Sequence, residues 1–307
     1  MKQPTSLFGI NDCHKPKKSK TKKNKIITRK KTTNKTTKKN IKYTNHIKNV
    51  ILFPHGLGQT KSGVDKAPQF IKKFINPTNH IIQTVQTPDF FTNLRRLYKI
   101  NNETIGPRIN IGGDHSMAIA TIAYTMNKYP NAKVIYFDAH ADINTYKSSN
   151  SKHYHGMPLS FVTGLDTNPK FSFIHNKLPF SNLFYVGSRC WDIFEVNTVY
   201  KNNIQFLEPV DINNHLEKSI KRIIDFVGDS PVHISFDVDS IDPKYIPSTG
   251  TPVKKGIVLK NAMAILDILQ KNVVNMDITE LNLDIGSKSE EQKSGKNTIR
   301  LFKHFLQ

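Results

Sequence analysis

Apolar residues along the chain fall into short unbroken runs separated by longer stretches of helical spacing. Val50–Phe53, His80–Val85, Arg108–Ile111, Lys133–Phe137, Leu183–Val186, Ile204–Phe206, Val232–Phe236 and Val273–Ile278 read as strands. Helices are predicted from Ala67-Pro68 to Phe74, from His115 to Tyr129 where Pro130 stops the run, over Met157–Val162, Leu216–Val227 and Ile257–Leu269, and from Ser289 to Phe305. The strands are continuously apolar rather than alternating. That pattern belongs to a parallel sheet covered on both faces, so the expected fold class is α/β, three layers with a central, mostly parallel sheet.

In such sheets ligands collect beyond the carboxyl ends of the strands. Residues able to hold a metal recur there. Asp114 and His115 follow one strand, and Asp138, His140 and Asp142 the next. Asp237 and Asp239 follow a third, and Glu280 a fourth. Asp138, His140 and Asp142 stand at i, i+2 and i+4, which in extended backbone puts all three on one face. Crowded acids and imidazoles are costly to bury unless a cation joins them. Four carboxylates and two imidazoles would balance two divalent ions, and an oxygen-rich set with no cysteine suits Mn²⁺ or Mg²⁺ rather than structural zinc.

Composition narrows the class. The chain has 307 residues, 37% of them hydrophobic, enough for one large α/β domain. No apolar run reaches eighteen residues and no signal-peptide core opens the chain, so neither a membrane span nor secretion is expected. Cys13 and Cys190 are the two cysteines; with Cys13 in a Lys-rich stretch, reduced cysteines and a cytoplasmic setting are expected. The net charge is +21, but residues 1–50 hold sixteen Lys/Arg against one Asp, leaving +6 for the rest. Residues 1–48 are therefore expected to form a disordered basic tail ahead of a domain over 49–307. The tail is either merely solvated or an arm for polyanion contact or nuclear targeting through lysines such as Lys15, Lys17, Lys22 and Lys25.

Three stretches resemble the metal-binding signatures of the ureohydrolases, the arginases and agmatinases: Gly112-Gly113-Asp114-His115-Ser116, Asp138-Ala139-His140-Ala141-Asp142-Ile143-Asn144 and Ser235-Phe236-Asp237-Val238-Asp239-Ser240-Ile241-Asp242-Pro243. The resemblance runs from about Leu57 to Leu301. Within the family the chain is most similar to arginases. Gly58-Gln59-Thr60-Lys61-Ser62-Gly63-Val64 resembles their N-terminal loop, and Thr249-Gly250-Thr251-Pro252 follows the second Asp pair as it does there. His155-Gly156-Met157-Pro158 resembles a His-Gly-Gln-Pro stretch with Met157 for Gln. Asp277-Ile278-Thr279-Glu280-Leu281-Asn282 resembles a guanidinium-binding motif, with Leu283 where Pro is usual.

The resemblance implies two Mn²⁺ per subunit, one on His115, Asp138, Asp142 and Asp237, the other on Asp138, His140, Asp237 and Asp239. It implies Glu280 on the substrate guanidinium and His155 as proton shuttle. Asn144, Ser151 and Asp192 would read the amino-acid end, and Thr251 would also bind substrate. His153 stands where arginases carry Asn; it can donate a hydrogen bond and, if protonated, would favour an anion. Trp191 is read as packing. The implied reaction is hydrolysis of L-arginine to L-ornithine and urea, in a trimer or hexamer. Hydrolysis of agmatine or another guanidino substrate stays open, since without a substrate carboxylate Asn144 and Ser151 lose that role. So does an inactive binding protein with a basic arm, or an active enzyme localised by its tail.

Overall fold

Each apolar run becomes a strand of one sheet in the structure, a computed structural model that describes residues 47–307. The strands are β1 Asn49–Phe53, β2 His80–Gln83, β3 Arg108–Gly112, β4 Lys133–Phe137, β5 Leu183–Val186, β6 Gln205–Leu207, β7 Val232–Asp237 and β8 Val273–Thr279. They lie in the order β2-β1-β3-β8-β7-β4-β5-β6, and every pairing is parallel. The expectation for residues 1–48 falls almost wholly outside the described residues.

The helices are α1 Ala67–Lys72, α2 Phe90–Glu103, α3 Ala118–Lys128, α4 Pro158–Thr163, α5 Ile193–Lys201, α6 Pro209–Asn214, α7 Leu216–Val227, α8 Leu259–Leu269, α9 Lys288–Leu301 and α10 Lys303–Leu306. Three were not foreseen: α2, α5 and α6. In α2 only Leu94, Leu97, Asn93 and Asn101 are buried, so polar positions mask its stripe. The helix predicted from Ile257 begins at Leu259, because Ile257 is taken up in a bridge to Ile241. The predicted last helix is two, α9 and α10.

Strand alternation divides the core. Val50 and Leu52 face a layer that includes Ile71, Ile223, Ile265 and Leu301, while Ile51 and Phe53 face one that includes Leu94, Leu97 and Ile119. The helices α1 and α6 to α10 thus cover one face, and α2 to α5 the other.

The chain passes from β3 to β4 by crossing two positions, which β7 and β8 later fill. The carboxyl ends of β3, β8, β7 and β4 consequently lie side by side, and the four loops that leave them share one rim.

Candidate metal centre and substrate cavity

His115 opens a short 3₁₀ turn after β3, held there because the Asp114 side chain accepts from the Ser116 N–H. Its Nδ1 lies 2.9 Å from Asp138 Oδ2, 3.2 Å from Asp142 Oδ2 and 3.5 Å from Asp237 Oδ2. His140 Nδ1 lies 3.4 Å from Asp138 Oδ1 and 3.1 Å from Asp239 Oδ2. Asp138 therefore gives one oxygen to each imidazole. Two triads result, His115 with Asp138 and Asp237, and Asp138 with His140 and Asp239. Asp142 adjoins the first.

These groups do not line up as a strand face. β4 ends at Phe137, and Asp142 has left-handed backbone, φ 49°. The side chains converge because carboxylates fold back on the chain: Asp138 accepts from the His140 N–H at 2.7 Å, and Asp237 from the Asp239 N–H at 2.7 Å. Spacing singled out residues that do come together, but by turns and not along one strand face.

The electrostatics call for a cation. Burial, and repulsion from Asp142 and Asp239, push the Asp138 acid up to about 7. Burial and the neighbouring Asp239 and Asp138 push Asp237 well above the usual carboxylate range. Burial opposes charge on Asp239 too, but His140 outweighs it and holds Asp239 below the ordinary range. On His115, hydrogen bonds to Asp138, Asp142 and Asp237 overcome burial and raise the imidazole well above its usual value. Acids this close, in a site this buried, share protons until a positive ion replaces them. The donor set, carboxylates and imidazoles without thiolate, fits a divalent ion of the Mn²⁺ or Mg²⁺ kind.

Behind His115 runs a buried polar chain whose members, among them Ser235 and Asp277 of the quoted motifs, had no expected role. Its Nε2 lies 2.9 Å from Ser235 Oγ, leaving Nδ1 free to ligate. Asp277, fully buried, accepts from Thr121 at 2.6 Å and Asn110 at 2.9 Å and lies 3.0 Å from His233 Nε2. Arg189 ties the neighbouring loops together by donating to the carbonyls of Asp239 and Val253 at 2.9 and 2.6 Å.

A cavity of about 280 Å³ opens over the carboxylates. Its wall includes His140, Asp142 and Asp237, then His155, His153, Ser151, Asn144, Asp192 and Thr251, so the residues expected to meet a substrate share one space with the candidate metal-binding groups. A larger cavity, about 610 Å³, lies at the β5–β6 edge but contains none of the carboxylate–imidazole pairs; chemistry selects the smaller one.

Glu280 stands just after β8 with left-handed backbone, φ 64°, its own N–H donating to the Gly113 carbonyl at 2.8 Å. Its Oε1 accepts from the His115 N–H at 2.9 Å and lies 3.1 Å from His155 Nδ1, and its Oε2 accepts from Gln59 at 2.8 Å. Burial opposes charge on His155, yet the Glu280 carboxylate outweighs it and raises the imidazole to about 9. Gln59 lay within a noted stretch but had no assigned role.

At the other end Asn144 donates to Asp192 at 2.9 Å and accepts from Ser148 at 2.8 Å. The Thr251 hydroxyl donates to Asp239 Oδ2 at 3.3 Å. Ser151 is exposed, and its hydroxyl accepts from the His153 N–H at 3.3 Å. Burial and the adjacent His155 lower the His153 imidazole, so neutral His153 offers a hydrogen bond rather than a charge. Glu195, overlooked earlier, braces the wall by accepting from the N–H groups of Ile143 and Asp192. Its signal was legible: Asp192-x-x-Glu195 is a capping box that opens α5. Trp191 packs edge-on against Phe206, as expected. Cys190 lies in the cavity wall beside Trp191 and Asp192; Cys13, the other half of the expectation about cysteines, lies outside the described residues.

The arginase family model matches residues 49–305. The chain belongs to the arginase family. It is a hydrolase of the kind that acts on guanidino C–N bonds. It is 33% identical over 282 residues to the arginase of Entamoeba histolytica, which covers 81% of this chain and 94% of that one. It is 34% identical over 190 residues to Saccharomyces cerevisiae arginase, 58% of this chain and 57% of that one. The crystal structure of the Entamoeba arginase in complex with L-ornithine superposes with a TM-score of 0.76 at 29% identity, covering 85% of this chain and 99% of that one. Family members use a binuclear metal, which agrees with the paired triads around Asp138. No helix among the described residues is long and apolar enough to cross a membrane.

Proposed function

We propose that the protein hydrolyses L-arginine to L-ornithine and urea with two Mn²⁺ bound by His115, Asp138, His140, Asp142, Asp237 and Asp239. The observation that carries this reading is the contact of Glu280 with His155 in the cavity that the two triads floor, with the polar pair Asn144 and Asp192 at its far end. When bound, a divalent pair lowers the pKa of water towards neutrality and so supplies a nucleophile.

The chain's own groups do the rest. Glu280 is a pinned acceptor that pairs with a planar guanidinium. That pairing brings the guanidinium carbon over the carboxylate cluster, in a cavity small enough to limit free water. Water oxygen bonds to that carbon, the carbon–Nε bond breaks, and the protons the water oxygen sheds as urea forms pass to solvent and back to His155. His155, protonated because Glu280 holds it so, gives its proton to the departing amine. Asn144, Asp192, Ser151 and neutral His153 receive the α-amino and α-carboxylate groups, and Thr251 steadies Asp239.

The supporting relatives are named arginases, and one was solved with L-ornithine. The same reading makes the enzyme a cytoplasmic homo-oligomer, trimer or hexamer, with residues 1–48 as a basic arm whose charge suits polyanion contact or nuclear targeting. Urea release measured with Mn²⁺ on arginine, agmatine and guanidinobutyrate tests the substrate. Arginine should be preferred, and a preference for agmatine would sink the assignment, because that amine has no carboxylate for the far end.

A further inference from the structure

Asp142 closes the His115 half of the metal site, and it is held from beneath. Tyr136 stands on β4 two residues before Asp138 and is fully buried. Its hydroxyl donates to Asp142 Oδ2 at 2.9 Å and lies 3.1 Å from His115 Nδ1. Its ring lies parallel to the His115 imidazole, centroids 4.6 Å apart and planes 12° from coincidence. A second buried phenol, Tyr185, meets Tyr136 edge-on and donates to the Ala141 carbonyl at 2.8 Å. One tyrosine therefore serves the carboxylate and the other the backbone just before it.

The phenol has one proton. His115 Nδ1 faces three carboxylates and is the nitrogen a cation would use, so the Tyr136 proton belongs to Asp142. Asp142 needs such an anchor. Its backbone is left-handed, and Tyr136 is the one hydroxyl on its carboxylate among the described residues. A loop carboxylate on strained backbone, in a site full of like charge, has reason to swing away.

We propose that Tyr136 is a positioning residue of the metal centre: its hydroxyl locks the Asp142 carboxylate, its ring sets the plane of His115, and together they ready one of the two cation sites. This rests on the binuclear-metal reading above. Outer partners of metal ligands carry about 10- to 100-fold in metal affinity. The other half, His140 with Asp239, has no contact with this phenol and should be indifferent to it.

Tyr136→Phe isolates the oxygen, since the ring stays. The test compares full-length wild type, Y136F and Y185F by Mn²⁺ titration with electron paramagnetic resonance. Wild type should take up two ions and show a spin-coupled pair. Y136F should keep one tight site, lose about 10- to 100-fold at the other, and show isolated Mn²⁺ at one equivalent. Excess Mn²⁺ should restore its kcat with KM for substrate unmoved. Y185F should retain the pair. Two wild-type-like sites in Y136F would overturn the inference, and so would an equal loss in Y185F, which would assign the effect to packing. A wild-type chain that takes up no Mn²⁺ would instead overturn the metal reading, and the inference with it. Should Y136F not fold, the wild-type near-UV tyrosine difference spectrum gives a second reading. It should change as the weaker site fills, and no change there contradicts the role.

Discussion

Glu280→Gln tests the link between substrate and proton donor. The carboxylate is buried and accepts at both oxygens, from the His115 N–H and His155 on one side and from Gln59 on the other. An amide can keep its oxygen towards His115 and offer its NH₂ to Gln59, whose side chain flips to accept, so folding should survive. What is lost is the negative charge. Removing one partner of a buried, hydrogen-bonded ion pair costs about 2–5 kcal/mol. At about 1.4 kcal/mol per decade, kcat/KM for the guanidino substrate should fall roughly 30- to several-thousand-fold.

A second effect follows from His155. Its imidazole is raised to about 9 with Glu280 as the leading favourable cause. Without that charge it returns towards about 6.5, the alkaline limb of kcat moves to lower pH, and the proton donor is depleted at neutrality. The stability sign follows by linkage. A raised histidine stabilises the fold below its unfolded value near 6.5, and that contribution is lost as pH rises towards about 9. E280Q should flatten that part of the stability profile. Steady-state urea release and chemical denaturation across pH 6 to 10 read both effects. Unchanged kcat/KM in a variant that still binds metal would refute the role of Glu280.

Asn144→Ala should raise KM for arginine about 10-fold, the scale of one hydrogen bond to a charged group, and leave agmatine turnover unchanged; equal losses on both substrates would refute contact with the carboxylate. Stripping metal with a chelator should lower Tm, and Mn²⁺ at a hundred times its Kd should return about 2.7 kcal/mol, read by calorimetry. Because the Asp138 acid lies at about 7 in the metal-free site, Mn²⁺ uptake should release protons and weaken as pH falls below 7, detectable by titration in buffers of different ionisation heat. Gly113→Ala would place a methyl 1.8 Å from the His55 carbonyl oxygen, a backbone atom that cannot step aside. Overpacking of about 1–3 kcal/mol should lower Tm by roughly 2–12 °C and loosen Glu280, whose N–H uses the Gly113 carbonyl.

How much of this was legible depended on the scale of the signal. Strands were, because continuous apolar runs have few other uses, and parallel pairing followed from burial on both faces. The helices α2 and α5 were not, because surface helices with narrow apolar stripes blur into polar loops. Candidate ligand residues were legible as types and spacing, whereas a common strand face was not their geometry: Asp138 and Asp142 converge through turns, and Asp142 through left-handed backbone. Gln59 lies in a stretch that resembles the family, but its pairing with Glu280, 221 positions away, had no local signal.

By itself, then, the sequence determined the layered α/β class and singled out the carboxylates and imidazoles that the structure gathers into one site. Both are written in local pattern, where burial and side-chain type act within a few residues. The tertiary structure alone decided that β7 and β8 enter between β3 and β4, so that four loops far apart in the chain share one rim. That placement brings Asp138 between two imidazoles, Glu280 against His155, and Tyr136 beneath Asp142. Proton positions and cation affinity depend on distances of about 3 Å, and only the packed sheet sets those distances.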